Sequence, residues 1–182
     1  SWRWLESRGR VQHRIVAPPP DELRPAEEFL RLEALGWKGD LGTSMNCRPA
    51  DRAFFLEMMA AFAAGGHVSF GELSVEGTVI ASTCNIRACG VLFGFKIGWD
   101  PALAAASPGV LHEGELLRAG MTSLRDYTLF DSCAGEGSYI AQVWTERVAV
   151  GTGLLCVTPW SRWSWRLQQA ARALKRLVCC WW

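Results

Sequence analysis

The chain has 182 residues, enough for one domain with a buried core and marginal for two. Hydrophobic residues make up 49% of it, which predicts a globular domain and excludes a chain that is disordered throughout. Its formal net charge of +1 argues against nucleic-acid binding by bulk electrostatics, because such binding needs a strongly basic surface.

The cysteines and histidines show no metal-binding or redox pattern. The seven cysteines form neither a zinc-type spacing nor a CxxC motif, and His13, His67 and His112 are scattered. We interpret the cysteines as reduced, mostly buried thiols of a cytoplasmic protein, and we expect no metal site. No apolar run reaches the about 18 to 20 residues that a membrane-spanning helix needs.

The chain is predicted to contain three segments, with bounds at 1–20, 21–158 and 159–182. The first holds a strand at 10–16 and a stiff proline linker at 17–20. The second is the main domain, and the third is a helix. Because the sequence opens on Ser1 without an initiator methionine, we expect it to be a piece of a longer protein.

Two helices are predicted before the main sheet. Asp21 is expected to cap a helix that ends near Leu35, and a second helix is expected from about Pro49 to Ala64. The apolar face of the second helix is predicted to comprise Phe54, Phe55, Met58, Met59 and Phe62. The glycine-rich stretch 36–43 between them follows a helix, so it does not match a Walker phosphate loop.

A sheet is predicted in the second half of the main domain. Three strands are expected at 67–74, 77–87 and 89–97. Their short connections predict an antiparallel meander. A helix at about 109–124 then leads to a short strand at 127–131, which can lie parallel to the third strand through a right-handed crossover. A short helix near 139–145 and a strand near 147–157 are expected to close the sheet.

The start of the helix at about 109–124 has features of an anion site. Ser107 is a good N-cap, Pro108 suits the first helical position, and Gly109 keeps side-chain bulk away. Free backbone N–H groups and the positive end of the helix dipole can hold a pyrophosphate there. The candidate cofactor-binding residues are Ser107, Pro108, Gly109, Val110 and Leu111. An ordinary loop-to-helix junction is the alternative.

Five short motifs occur in a family-like order, namely Trp37–Gly39, Phe95–Asp100, Ser107–Gly109, Phe130–Ala134 and Trp144–Arg147. Together they resemble a bacterial, CelD-like branch of the GNAT superfamily that is linked to cellulose or other exopolysaccharide biosynthesis. This branch is related to the Fem-type aminoacyl and peptidyl transferases. The resemblance covers about residues 24–156. It implies an α/β GNAT fold, with a mixed, mostly antiparallel sheet, a central strand splay and flanking helices, in the C-terminal domain of a tandem pair.

The resemblance also implies a reaction. It indicates an acyltransferase that passes an acyl group to an amine or hydroxyl of a sugar or cell-envelope precursor. The donor is expected to be acetyl-CoA or another acyl-CoA, with an aminoacyl-tRNA as the alternative. The loop before Ser107 lacks the basic residue of common acetyl-CoA binders. A catalytically silent GNAT-like module that binds a partner in polysaccharide assembly is therefore the alternative function.

Two carboxylates are candidate catalytic residues. Asp131 ends the short strand beside the helix start, where it can act as a general base toward an amine or bind the substrate. In the alternative it caps the following turn. Glu115 lies next to the inward stripe of its helix and matches an acidic position of the family. In the alternative it lies on a solvated helix face.

Four residues are candidates for substrate binding. Lys96 near a strand end can hold a phosphate or a carboxylate, or it simply reaches solvent. Asp100 can orient Lys96 or accept a proton from an amine, or it opens a turn. Trp37 and Lys38 lie in the glycine-rich stretch where substrate can enter, and packing of Trp37 over the core is its simpler explanation.

The C-terminal segment is predicted to be a basic amphipathic helix. Trp160, Trp163 and Leu167 fall on one helical face, and Arg162 and Arg166 fall on the other. Such a helix can lie in a membrane interface, which predicts peripheral contact of 160–182 with the inner membrane face. The alternative is packing on its own domain or on a partner, including a second copy of the chain.

Overall fold

A computed structural model describes residues 1–120, 127–135, 137–144, 146–151 and 155–179. The chain divides into two compact units, 1–145 and 146–182. The N-terminal strand and the linker lie within the first unit, and the strand belongs to the same sheet as the strands of the main domain.

The first unit is built on one five-stranded sheet. Its strands, in spatial and chain order, are β1 (Val11–Val16), β2 (Val68–Val75), β3 (Thr78–Ala88), β4 (Val91–Trp99) and β5 (Leu129–Asp131). The first four pair antiparallel, and β5 pairs parallel to β4. The predicted meander and the predicted parallel strand after a helical crossover are therefore confirmed.

The described residues form six α-helices, five in the first unit and one in the second. They are α1 (Trp2–Glu6), α2 (Arg24–Leu35), α3 (Trp37–Asp40), α4 (Pro49–Ala64), α5 (Pro108–Gly120) and α6 (Pro159–Cys179). Two 3₁₀ helices, Pro101–Ala106 and Tyr139–Gln142, adjoin the two ends of the α5–β5 crossover. The predicted end of the fifth helix near Leu124 lies outside the described residues.

Alternation along β3 places the helices on opposite faces of the sheet. Cys84 Sγ lies 3.3 Å from Met59 Sδ on α4, and its neighbour Thr83 contacts His112 on α5. Because adjacent strand residues point to opposite faces, α2 and α4 cover one face, the α2 face, and α5 covers the other, the α5 face.

The core of the α2 face is aromatic. The ring of Phe29 on α2 stacks on Phe55 of α4 at 5.4 Å between centroids and lies 6.5 Å from the ring of Phe70 on β2. All three side chains are fully buried. Contacts of this kind hold α2 firmly on the sheet, which fixes the position of the residues at its end.

Two predictions about the early helices are wrong. Helix α2 begins at Arg24 and its N-cap is Leu23, because Pro25 favours the first helical turn. Asp21 therefore does not cap it. On α4, Phe54 is 60% exposed. The buried stripe is narrower than predicted, because Phe55 and Met59, one turn apart, face the sheet while the preceding position turns to solvent.

Other segments also differ from the predictions. Residues 2–6 form a helix where none was expected, and they bury Leu5. Residues 37–40 form a short helix within the predicted loop. The predicted strand at 147–157 is absent from its described parts, 147–151 and 155–157.

The expectation of mostly buried cysteines is also wrong. Of the five whose side chains are described, Cys84 alone is buried, and Cys47, Cys89 and Cys133 are exposed. Cys89 and Cys133 sit at positive φ in turns rather than inside strands, which explains their exposure. The described cysteines are free thiols.

The second unit contains α6, the helix that was predicted in the segment 159–182. Its start is capped reciprocally, because Ser161 N–H donates to Thr158 Oγ1 and Thr158 N–H donates to Ser161 Oγ, both at 3.1 Å. Trp160 and Trp163 are exposed. In the described part of the chain, no helix is both long enough and apolar enough to cross a bilayer.

Candidate active site

The sheet opens between β4 and β5. Pairing of the two strands is confined to Val91–Phe93 against Leu129–Asp131, whereas β4 continues to Trp99. The register of β4 against β3 also shifts, so that Phe95 has no partner on β3. A bulge of this kind bends a strand and increases its twist. Over residues 94–99, this edge of β4 therefore pairs with no strand among the described residues, and we call it the open edge of β4.

The start of α5 lies at the far end of this open edge. Asp100 Oδ1 accepts a hydrogen bond from Ala102 N–H at 2.9 Å, and a 3₁₀ helix then leads to Ser107, whose φ is 56°. Leu111 N–H donates to Ser107 O at 3.1 Å, which is the first bond of the α-helical pattern. Proline has no N–H, so the first-turn donors without an intrahelical acceptor are those of Gly109 and Val110.

Gly109 permits a close approach at this helix start. A Cβ on it would lie 3.2 Å from Trp99 Cδ1 and 3.3 Å from Tyr139 Oη. The Tyr139 phenol therefore lies beside the donors of α5. Burial and the charge of Glu113 raise the pKa of Tyr139 to about 12, so its hydroxyl keeps its proton at neutral pH.

Glu113 lies close to that phenol. It is buried on α5, and its carboxylate accepts a hydrogen bond from Trp144 Nε1 at 3.1 Å. Burial raises the pKa of Glu113 despite this hydrogen bond, which acts in the opposite direction. Neither Tyr139 nor Glu113 was among the predicted site residues, because no local motif marks them.

A buried carboxylate on the α2 face joins two lysines. Glu33 Oε1 accepts hydrogen bonds from Lys96 Nζ of β4 at 2.9 Å and from Lys38 Nζ of α3 at 3.3 Å. Its Oε2 accepts the N–H of Met45 at 2.9 Å. We call Glu33, Lys38 and Lys96 the Glu33 cluster. The Glu33 side chain has no exposure, and each lysine side chain is 24% exposed.

Close packing explains why these groups meet. A Cβ on Gly98 would lie 2.7 Å from the backbone N of Glu33, so α2 rests directly on β4. Burial by itself would raise the pKa of Glu33, but the hydrogen bonds from Lys96 and Met45 and the charges of both lysines lower it. The carboxylate is therefore ionised at neutral pH.

Comparison with known proteins identifies the family. The family model of the acetyltransferase (GNAT) domain matches residues 1–139, which is most of the chain. The chain belongs to the GNAT acetyltransferase family. It is thus an enzyme of the transferase class with an α/β GNAT fold, as predicted. A search of curated protein sequences found no match.

Solved structures with the same fold include other acetyltransferases. A possible acetyltransferase from Clostridium difficile 630 superposes with a TM-score of 0.58 at 8% identity, covering 81% of this chain and 99% of its own. An aminoglycoside acetyltransferase from an uncultured soil metagenomic sample, in complex with sisomicin, has a TM-score of 0.53 at 7% identity, with 81% and 97% covered. The structure of AAC(6')-Iy with a bisubstrate analogue, CoA-S-monomethyl-acetylneamine, has a TM-score of 0.51 at 16% identity, with 81% and 100% covered.

The two predicted catalytic carboxylates of this GNAT chain have local partners. Asp131 Oδ1 accepts a hydrogen bond from Cys133 N–H at 2.8 Å, so it caps the turn after β5. Glu115 Oε1 accepts one from Arg118 Nη1 at 2.8 Å, one turn along α5. Each of the two carboxylates is therefore bonded to a residue two or three positions away in the chain. Their catalytic roles stay predictions.

The predicted binding residues fall into two groups. Lys96 and Lys38 are brought together by Glu33, which binds both. Asp100 instead caps the 3₁₀ helix, where its Oδ1 accepts the N–H of Ala102. Trp37 is 64% exposed, so it does not pack over the core as its simpler explanation required. Lys38 Nζ lies 5.9 Å from the centroid of its ring.

A second polar cluster lies on the α5 face. His112 is fully buried, its Nε2 lies 2.9 Å from Thr83 Oγ1, and its ring centroid lies 5.0 Å from that of His13. Burial lowers the pKa of His112 to about 3, helped by the charge of His13, and burial lowers the pKa of His13 to about 4. We call His13, Thr83 and His112 the His112 cluster.

The two histidines of this cluster are far apart in the sequence. Because burial lowers both pKa values, the His112 cluster is uncharged at neutral pH. Among the described residues, no three His, Cys, Asp or Glu side chains come together as a metal site requires.

Proposed function

We propose that this GNAT domain transfers an acetyl group from acetyl-CoA to an amine or hydroxyl of a sugar or cell-envelope precursor, and that it belongs to the CelD-like branch related to the Fem-type transferases. The main support is the open edge of β4, which has the donors of α5 at one end and the Glu33 cluster along its length. Other acyl-CoA thioesters and aminoacyl-tRNA are alternative donors.

The start of α5 fits the pyrophosphate of acetyl-CoA. The N–H groups of Gly109 and Val110 and the positive end of the helix dipole favour an anion there. Residues 99–111 contain no Lys or Arg, so backbone donors would provide the binding without a basic side chain. The absence of a side chain at Gly109 leaves room for the close approach that a phosphate needs.

The residues around the open edge of β4 suit direct transfer of the acetyl group from the thioester to the acceptor. The acceptor nitrogen or oxygen forms a bond to the acetyl carbon while the carbon–sulfur bond breaks, so no covalent enzyme intermediate is required. Backbone N–H groups on the open edge of β4 are the proposed donors to the oxyanion, because the first-turn donors of α5 are assigned to the pyrophosphate. Asp131 or Glu115 is the proposed base for the acceptor proton, and the protonated Tyr139 hydroxyl is the proposed acid for the departing thiolate.

Two glycines of α5 provide a matched test of acetyl-CoA binding. Gly109→Ala introduces a methyl group against Trp99 and Tyr139, whereas Gly114→Ala meets nothing within 4 Å. We expect Gly109→Ala to weaken acetyl-CoA binding in calorimetry by about tenfold or more, because about 1.4 kcal/mol is tenfold in affinity. Gly114→Ala should bind as the unmodified chain does. Equal binding by both variants would place the donor elsewhere.

A second experiment separates an enzyme from a silent module. Acetyl-CoA well above micromolar concentration should raise the Tm of an active domain by mass action. Tyr139→Phe should bind acetyl-CoA normally and lose about 100-fold or more in kcat, since it keeps the ring and removes the proton. If no acyl-CoA raises the Tm, the binding-module alternative is favoured.

We also propose that α6 contacts the membrane surface. Residues 159–179 include five Lys or Arg and no Asp or Glu, and Trp160 and Trp163 are exposed. Tryptophans with basic residues favour the interface of an anionic bilayer. Flotation with anionic liposomes should retain the full chain and lose a chain ending at residue 158. Equal flotation of both would remove the proposal.

A further inference from the structure

The Glu33 cluster holds more positive than negative charge. Lys38 and Lys96 both bind the same oxygen, Glu33 Oε1, so two ammonium groups share one carboxylate. Within the described residues, neither lysine forms an ion pair within 4.0 Å with a second carboxylate. Asp40, on the same short helix as Lys38, is exposed and is not such a partner. One positive charge is therefore left without a counter-ion.

This charge lies along the open edge of β4. Lys96 is three residues beyond Phe93, the last residue that pairs with β5, and three residues before Trp99, which lies beside Gly109. At about 3.3 Å per residue, its backbone stands about 10 Å from each end of the open edge. A group bound by Lys96 would therefore be close to the place where an acyl group and an acceptor can meet.

The two lysines are held in place before any ligand arrives. Glu33 is fixed by the Met45 N–H on one oxygen and by the lysines on the other. Each lysine side chain remains 24% exposed, so the Glu33 cluster is not sealed from solvent. Groups that are already ordered lose less entropy on binding, which favours a specific site over a diffuse basic surface.

We propose that Lys38 and Lys96 bind an anionic group, a carboxylate or a phosphate, on the acceptor molecule. This inference rests on the proposed acetyl transfer and names the acceptor class for the same site. Glu33 is a positioning residue, since both of its oxygens are occupied. A polycationic acceptor, of the kind that the aminoglycoside acetyltransferases among the structural neighbours act on, would be repelled by the surplus positive charge.

Three amino sugars that differ only at C6 test this proposal. Glucosamine carries a neutral hydroxymethyl group, glucosamine 6-phosphate a phosphate, and 2-amino-2-deoxyglucuronate a carboxylate. With acetyl-CoA as donor, at least one anionic sugar should exceed glucosamine in kcat/KM by about tenfold or more, as expected for a charge-assisted contact. The preferred anion identifies the group. A kcat/KM for glucosamine that equals or exceeds both would overturn the proposal.

Matched variants show whether the lysines are responsible. In Lys38→Gln, the ratio of kcat/KM for the preferred anionic sugar to that for glucosamine should fall by about tenfold. Lys38→Arg, which keeps the charge, should retain most of the ratio. Arg52 lies on α4 and forms an exposed ion pair with Glu27 of α2. Arg52→Gln removes one positive charge away from the Glu33 cluster and should leave the ratio unchanged. An equal fall in Lys38→Gln and Arg52→Gln would mean bulk electrostatics and no site.

Binding alone keeps the two proposals separate. If none of the three sugars is acetylated, the proposed transfer to an amino sugar fails, and the anion site is then decided by thermal shift in excess CoA. Glucosamine 6-phosphate or 2-amino-2-deoxyglucuronate should raise the Tm of the unmodified chain more than that of Lys38→Gln, and glucosamine should raise neither. Equal shifts in the two chains, or no shift, would refute the anion site.

Discussion

The two faces of the sheet each contain a buried polar cluster, and the clusters differ in charge and in access to solvent. The Glu33 cluster on the α2 face is ionic, its carboxylate is fully hydrogen-bonded, and its lysines reach the surface. The His112 cluster on the α5 face is neutral, and His112 has no exposure. Burial of a charge requires a partner, whereas a neutral imidazole can be buried with a single hydrogen bond.

The comparison indicates different roles for the two clusters. Surplus charge at the surface is available to a ligand, so the Glu33 cluster suits binding. The His112 cluster is enclosed between β1, β3 and α5, so it suits packing of the helix whose first turn forms the candidate donor site. Within that cluster, His112 Nδ1 and His13 Nε2 have no hydrogen-bond partner among the described residues. Partners missing in a buried site reduce stability.

The largest expected effect comes from removing the buried charge on the α2 face. Glu33→Gln leaves two lysines without their carboxylate and should lower the free energy of unfolding by about 2–4 kcal/mol, somewhat less than for a fully buried pair because the lysines can turn to water. Urea denaturation measures the change. Glu27→Gln, which breaks the exposed pair with Arg52, should cost less than about 1 kcal/mol. Equal losses would contradict the distinction.

Acid should act on the α5 face before the α2 face. The folded pKa of His112 is about 3 and its unfolded value is 6.5, so below pH 6.5 the unfolded chain binds a proton that the folded chain does not. Stability is therefore complete above pH 6.5 and falls on acidification, by about 1.4 kcal/mol per pH unit for this residue. The pKa of Glu33 is lowered from 4.5, so its contribution is lost only as the pH falls below 4.5.

The contribution of His112 to the loss of stability in acid can be isolated by replacing it with leucine, which has a similar volume. His112→Leu should lose less stability than the unmodified chain between pH 7 and pH 5, by about 2 kcal/mol. Unfolding in urea at the two pH values gives this number, and the exposed His67→Leu serves as the control. The same acid loss in His112→Leu and in the unmodified chain would show that His112 does not titrate in this window.

A smaller effect is expected from the hydrogen bond inside the α5-face cluster. Thr83→Val keeps the shape and leaves His112 Nε2 without its partner, which should cost about 1–2 kcal/mol. It also removes the acceptor of Asn85 Nδ2, which lies 3.0 Å from Thr83 Oγ1. Thr78→Val, at the exposed start of β3, should be nearly neutral in the same unfolding measurement. A neutral Thr83→Val would mean that the bond contributes nothing net.

The smallest loss of stability should come from replacing Lys38, which forms the longer of the two bonds to Glu33. Lys38→Gln keeps the shorter bond between Glu33 and Lys96 and should cost less than about 1 kcal/mol of unfolding free energy. Chemical denaturation beside Glu33→Gln measures the difference. A loss as large as that of Glu33→Gln would mean that Lys38 is structural and would remove its value as a test of ligand binding.

Much of the fold could be predicted from local patterns. The short connections between the three predicted strands predicted the meander, and Ser107-Pro108-Gly109 predicted the start of α5. The two errors at α2 and α4 came from choosing among neighbouring residues for a cap and for a buried position. Such choices depend on how the helix sits on the sheet, which the chain alone does not show.

Both buried polar clusters could have been suspected from helix spacing. Glu33 is one turn after the buried Phe29, and His112 is one turn before the buried Leu116, so each occupies an inward position. A polar residue on an inward face needs a partner. Their partners, Lys96 and Thr83, are 63 and 29 residues away in the chain, and no local pattern connects them.

The sequence by itself determined the order of β1 to β5 and of α2, α4 and α5, the family resemblance and the glycine at the start of α5, because these follow from local periodicity and local backbone chemistry. The tertiary structure alone decided that Lys38 and Lys96 share Glu33, that Tyr139 lies beside Gly109, and that His13 meets His112. These contacts depend on where α2 and α5 rest on the sheet. That placement results from the packing of many side chains together, so it cannot be read from any single segment.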